Sequence, residues 1–108
     1  MITTEKAFDM LPSVVDLYDK LQIDGYRKKM AEENKGKDFD QMTMGIDLFK
    51  FVLKNSGKVK PEVFEMVAIF EEKTVEEIKK QGFMVTVNSL KKIFSDKEAM
   101  VFFRSAVK

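Results

Sequence analysis

The chain has 108 residues, of which 44% are hydrophobic, and it contains no cysteine and no histidine. This length suits one domain with a single core, and the missing residue types remove disulfides, thiolate chemistry, the commonest general base and the usual transition-metal ligands. The formal net charge is +1, which does not indicate a nucleic-acid partner, because phosphate-binding surfaces carry a basic excess.

The first predicted helix covers Thr3 to Leu21 and contains Pro12. Because proline lacks a backbone donor and crowds the preceding turn, we expect a kink or break near Met10-Leu11. A second, mostly polar helix is predicted from Ile23 to Gly36, where glycine suits a left-handed C-terminal residue. Helical spacing of three and four residues places the apolar stripe of the first helix on Phe8, Leu11, Val15, Tyr18 and Leu21.

Two strongly apolar helices are predicted in the middle of the chain. Asp38, with Gln41 three residues later, can cap the first of them, which ends at Asn55-Ser56-Gly57. Pro61 suits the first position of the next helix, whose segment Val63–Phe70 is apolar around most of its circumference. Such wide apolar arcs predict that these two helices pack antiparallel at the centre of the domain.

The last third of the chain carries two helix-start signals. Thr74 with Glu77 matches a capping box that opens a short helix, and Ser95 with Glu98 repeats the arrangement before the final helix. A longer helix runs between them from about Phe83. We therefore predict an all-α protein: a single compact domain over residues 1–108, with six or seven short helices around the central antiparallel pair. In this prediction, N-terminal helices occupy residues 1–36, and residues 38–107 form the helical core.

No pattern in the sequence predicts a catalytic, cofactor or metal site. The serine of Ser56-Gly57-Lys58 follows a helix end and lacks the upstream glycine of a phosphate-binding loop. The carboxylate pairs Glu71-Glu72 and Glu76-Glu77 lie at a helix end and a helix start, where we expect them to be solvated. We expect the protein not to be an enzyme and to bind no cofactor.

A DNA-binding regulator is an alternative, because residues Thr74–Phe94 have the outline of a helix, a glycine-containing turn and a second helix. However, the would-be recognition segment Met84–Leu90 contains neither arginine nor glutamine to read base edges. We therefore expect no nucleic-acid partner. No segment approaches the roughly 20 apolar residues of a membrane span, and the start of the chain lacks the pattern of a secretion signal, so we expect a cytoplasmic protein without a membrane partner.

Apolar side chains near the end of the chain are too many to face one core from short helices. The surplus predicts a surface that binds a partner protein, since exposed Phe and Met are suitable anchors. The alternative is that neighbouring helices cover all of them. The candidate partner-binding residues are Phe83, Met84, Val101, Phe102 and Phe103.

The segment KPEVFEMVAIFEEKTVEEIKKQGFMVTVNSLKKIFSDKEAMVFFRSA, and more loosely the opening TTEKAFDMLPSVVDLYDKL, resembles the tail assembly chaperones of long-tailed (siphovirus-type) bacteriophages and prophages. The resemblance implies a small helical protein of the bacterial host cytoplasm that binds the tape measure protein, helps recruit tail tube subunits and is absent from the mature virion. It brings no catalytic residues. We also expect homo-oligomerisation. The alternative function that also depends on protein binding is that of a small helical adaptor with another client.

Overall fold

The computed structural model describes residues 2–33 and 41–106, and within these ranges the chain is helical without any strand. The all-α prediction is therefore confirmed, whereas the predicted cap at Asp38 and helix end at Gly36 lie outside the described residues. A single 3-10 turn, Ser56–Lys58, joins the third and fourth helices. The α-helices are α1 (Thr4–Leu21), α2 (Ile23–Glu33), α3 (Gln41–Lys54), α4 (Lys60–Glu71), α5 (Val75–Lys80), α6 (Phe83–Ser95) and α7 (Lys97–Ala106).

Helix α1 corrects the predicted break at Pro12 and part of the predicted buried stripe. It runs through Pro12 without a break, so proline does not end the helix. The ring is exposed to solvent, and packing of the helix on its neighbours outweighs the single lost backbone hydrogen bond. The buried side also differs from the predicted stripe, because Phe8 is exposed and Leu11 and Val15 are only half-buried. Tyr18 and Leu21 of the predicted stripe are buried as expected, and the fully buried positions are Met10, Val14 and Leu17.

Helices α1 and α4 form an antiparallel pair. Side chains spaced along α1 meet α4 in reverse order, which fixes the relative direction of the two helices. The contacts run from Lys6 Nζ to the Phe70 carbonyl oxygen (3.0 Å), from Ser13 Oγ to Glu65 Oε2 (2.6 Å) and from Lys20 Nζ to Glu62 Oε2 (2.8 Å).

The predicted central pair of α3 and α4 is not confirmed. Helix α4 packs mainly on α1, with α5 and α6 on its other sides, and α3 packs mainly on α6. The reason is that a helix apolar around its circumference can accept several neighbours, and periodicity does not say which of them it receives.

The core lies where α1, α3, α4, α6 and α7 meet. Each large apolar side chain buried there contributes about 1.5–3 kcal/mol relative to its exposed state. Gly45 on α3 lies directly against the backbone carbonyl of Phe94 on α6, which lets these two helices approach closely. The largest fully buried side chains are Phe103, Met10, Leu17, Ile23, Met66, Leu90 and Ile93.

The two predicted helix starts in the last third have different outcomes. The capping box is confirmed: the Thr74 hydroxyl accepts from the Glu77 N–H, and the Glu77 carboxylate accepts from the Thr74 N–H. The second start was placed one residue early. Ser95 is the last residue of α6, and Asp96 caps α7 by accepting from the Ala99 N–H at 3.0 Å.

Candidate functional site

The predicted partner-binding residues divide between two helices, and the first group lies at the start of α6. Phe83 is 76% exposed and Met84 52% exposed, and the next residue, Val85, which sequence reasoning missed, is 48% exposed. We call these three consecutive residues the α6 patch. The rest of the helix buries Ser89, Leu90, Ile93 and Phe94, so a well-packed helix presents the patch to solvent.

The second group lies on α7, where the structure separates three adjacent residues. Val101 is 42% exposed, and Phe102 is half-buried beneath Phe8 of α1, with 5.4 Å between the ring centroids. Phe103 is only 1% exposed and belongs to the core, which corrects its assignment as a partner-binding residue. Since successive residues of a helix point about 100° apart, α7 can direct only one of the two rings fully inwards.

Phe8 was assigned to the core by its place in the predicted stripe, yet it is 58% exposed. Its partner Phe102 lies 94 residues later in the chain, so no local pattern could have identified the contact. We call Phe8, Val101 and Phe102 the α1–α7 patch. Among the described residues, no aromatic contact joins this patch to the α6 patch, and we treat the two as distinct candidate surfaces.

A polar cluster centred on Glu71 holds the start of α6 in place. The Glu71 carboxylate accepts hydrogen bonds from Ser89 Oγ at 2.7 Å and Gln81 Nε2 at 3.1 Å, and it pairs with Lys73 Nζ at 3.1 Å. Gln81 also donates to Thr86 Oγ1. Burial acts to raise the pKa of Glu71, but these hydrogen bonds and the Lys73 charge outweigh it and lower the pKa. The cluster joins α4, α5 and α6.

Another buried carboxylate, Glu62, lies in the first turn of α4 and pairs with Lys20 at 2.8 Å. Its second oxygen, Oε1, has no hydrogen-bond partner within the described part of the chain. The ion pair with Lys20 explains why the Glu62 carboxylate is buried, because it forms part of the contact between α1 and α4.

An open groove of about 990 Å³ lies between α1, α4 and the start of α5. Its apolar lining comes from Pro12, Ala68, Ile69 and Val75. Its charged lining consists of Glu5, Asp9, Glu65 and Glu72 with Lys6 and Lys73. We call this feature the α1–α4 groove.

Within residues 2–33 and 41–106, no group of three or more acidic side chains is placed to hold a metal ion. In the same part of the chain, no helix combines the length and apolar character required to cross a membrane. The helix-turn-helix outline is present as α5 and α6, but the first turn of α6 exposes the apolar α6 patch. Residues there usually contact base edges through hydrogen bonds, so this arrangement gives the DNA-binding alternative little support.

Comparison of the chain with protein-family models finds no match, and comparisons with curated proteins and with solved structures find no significant match either. The likeness to tail assembly chaperones therefore stays a prediction from the sequence. The two apolar patches and the groove are the features on which a functional proposal can be built.

Proposed function

We propose that this protein is a non-catalytic binding protein that holds other polypeptides, and that it acts as a tail assembly chaperone of the long-tailed phage type. The observation that carries the proposal is the α6 patch. Single exposed apolar residues are common on protein surfaces, but three in succession, led by a phenylalanine that is 76% exposed, are suited to binding an apolar segment of another chain.

The α6 patch is preorganised for binding. The Glu71 cluster fixes the start of α6, and the close contact between Gly45 and Phe94 fixes its end against α3. A partner therefore meets side chains that lose little backbone freedom when they are covered, which favours affinity. An apolar helix of a client is a suitable ligand, because amphipathic helices commonly bind through a few apolar anchors.

The size of the patch favours weak, reversible binding. Full burial of a phenylalanine or methionine contributes about 1.5–3 kcal/mol, so three partly exposed residues supply only a few kcal/mol before the cost of association is subtracted. A long client with many apolar stretches gains avidity when several copies bind along it. Such contacts permit release when tail tube subunits take the place of the chaperone.

The clients in this proposal are the tape measure protein and tail tube subunits in the cytoplasm of the bacterial host. Their identity comes from the sequence resemblance, and the exposed apolar surface supports the mode of binding. The α1–α7 patch is a second apolar surface available for a client or for another copy of the chain.

The test is co-purification of the protein with the tape measure protein encoded in the same genome. Phe83→Asp and Met84→Asp are each expected to weaken binding about tenfold or more, since an anchor is typically worth about 1.4 kcal/mol or more. Asn88→Asp is the matched control, because Asn88 is exposed on the same helix and the change adds the same charge. Circular dichroism should show all three variants folded.

Unchanged binding by folded Phe83→Asp and Met84→Asp variants would refute the α6 patch as the client surface. Patch-dependent binding to a different polypeptide, with no binding to the tape measure protein, would assign the adaptor function instead. Salt-sensitive binding to random duplex DNA at low salt would favour the regulator.

A further inference from the structure

The α1–α4 groove has a chemistry unlike that of the two apolar patches. Ala68 is buried, and Ile69 and Val75 are half-buried, so the apolar lining is continuous with the core. The lining residues from α1 and its N-cap extend from Thr3 to Ser13, a length of about 15 Å at 1.5 Å per residue. An extended segment of four or five residues fits this length, so a hexapeptide is long enough to span the groove.

The two lysines of the groove are engaged by the protein itself. Lys6 Nζ donates to the Phe70 carbonyl oxygen at 3.0 Å and lies 5.8 Å from the centre of the Phe70 ring. Lys73 Nζ pairs with Glu71, which is not part of the groove lining, and donates to Gln81.

The four carboxylates of the groove have no salt bridge to any residue in the described ranges. Glu65 accepts a hydrogen bond from Ser13, which leaves its charge uncompensated, and Glu5, Asp9 and Glu72 are exposed. With Lys73 neutralised by Glu71, the lining carries four negative charges against the single positive charge of Lys6. The groove is therefore apolar at its base and negatively charged at its edges.

We infer that the α1–α4 groove binds a short basic, apolar segment of another polypeptide, in which lysine or arginine residues flank aliphatic side chains. The aliphatic groups would cover Ile69 and Val75, and the cations would meet the unpaired carboxylates. This inference rests on the proposed function, since it names the chemistry of a client segment, but it concerns a surface separate from the α6 patch.

The experiment measures fluorescence anisotropy of a labelled hexapeptide, LKLLKL with blocked ends, on addition of the full-length protein. Asp9→Asn combined with Glu72→Gln removes two groove charges with little change in shape. The expected result is about fivefold weaker binding, since each exposed ion pair is worth roughly 0.5 kcal/mol. Asp16→Asn combined with Asp19→Asn, at exposed positions of α1 outside the groove, is the matched control and should bind nearly as the wild type does.

Three further measurements complete the test. The peptide LELLEL should bind at least about fivefold more weakly than LKLLKL, and added sodium chloride should weaken binding of the basic peptide, because salt screens exposed charges. Phe83→Asp should leave binding of the peptide unchanged, which separates the groove from the α6 patch.

Equal binding of LKLLKL by the groove variant and the wild type, or equal loss in the control variant, would overturn the inference. So would self-association of the wild type that Asp9→Asn and Glu72→Gln abolish, because a second copy would then be the occupant. If the groove variants leave capture of the tape measure protein unchanged while Phe83→Asp abolishes it, the groove inference fails and the proposed function stands.

Discussion

Replacement of Gly45 by alanine tests the closest backbone approach between two helices of the fold. Gly45 lies within α3, where alanine normally stabilises a helix by about 0.5–1 kcal/mol relative to glycine. From secondary structure alone, the variant should therefore be more stable. The structure predicts the opposite, because the added methyl group would collide with the carbonyl oxygen of Phe94 on α6.

The expected change in stability of Gly45→Ala depends on which part of the structure must move to make room for the methyl group. The obstacle is backbone in the last turns of α6, which cannot rotate away as a side chain would, so α3 and α6 must separate. Forcing extra volume into a packed interface costs about 1–3 kcal/mol, occasionally more, and separation also weakens neighbouring dispersion contacts. After the gain in helix propensity is subtracted, we expect a net loss of about 1 kcal/mol, or a melting temperature lower by roughly 5 °C.

The assay is urea denaturation followed by circular dichroism, with thermal melting as a second measurement. Gly25→Ala is the matched control, since Gly25 is also helical but has no atom within 4 Å of the position that a methyl group would occupy. The control should be neutral or up to about 1 kcal/mol more stable than the wild type. If Gly45→Ala matched this small gain, the close contact between α3 and α6 would be refuted.

Two further variants test the caps and the polar cluster. Asp96→Ala should lower the free energy of unfolding by about 1–2 kcal/mol, because Asp96 accepts from the Ala99 N–H and, at 3.3 Å, from the Ile2 N–H; a thermal melt equal to that of the wild type would contradict both roles. Glu71→Gln should lower stability by about 1–2 kcal/mol near neutral pH, since it loses charge-assisted hydrogen bonds such as that from Ser89. The folded pKa of Glu71 lies below the ordinary value of 4.5 for this side chain, so its contribution to stability is present above that value and is lost as the pH falls through the folded pKa. Urea titrations should therefore show the gap between wild type and Glu71→Gln narrowing below about pH 4.5; a gap that widens there would contradict the assigned role.

Local signals in the sequence were enough for the class of the fold and for several helix ends. The capping box of Thr74 and Glu77 was predicted correctly because both partners lie within four residues and need no other part of the chain. The second start was misplaced because Ser95 and Asp96 are both good caps. The structure favours Asp96, whose carboxylate also accepts from the Ile2 N–H at the other end of the chain.

Among the candidate binding residues, composition and spacing identified Phe83 and Met84 as surplus to one core, and the structure places both at the surface. The same signals could not distinguish Phe102 from Phe103, nor identify Phe8 as exposed. Those outcomes depend on which side of α7 meets the core and on the position of α1 beside it.

Local signals along the chain are sufficient to predict amphipathic and apolar helices with defined ends, because helix propensity, capping and periodicity act over a few residues. The three-dimensional packing was needed to show that α1, and not α3, is the antiparallel partner of α4, and that the α1–α4 groove lies between them. The hydrophobic effect is non-directional, so burial of apolar surface alone does not select which helix packs on which. Which helices cover each other depends on contacts between residues far apart in the chain, such as Gly45 against Phe94 and Lys20 with Glu62.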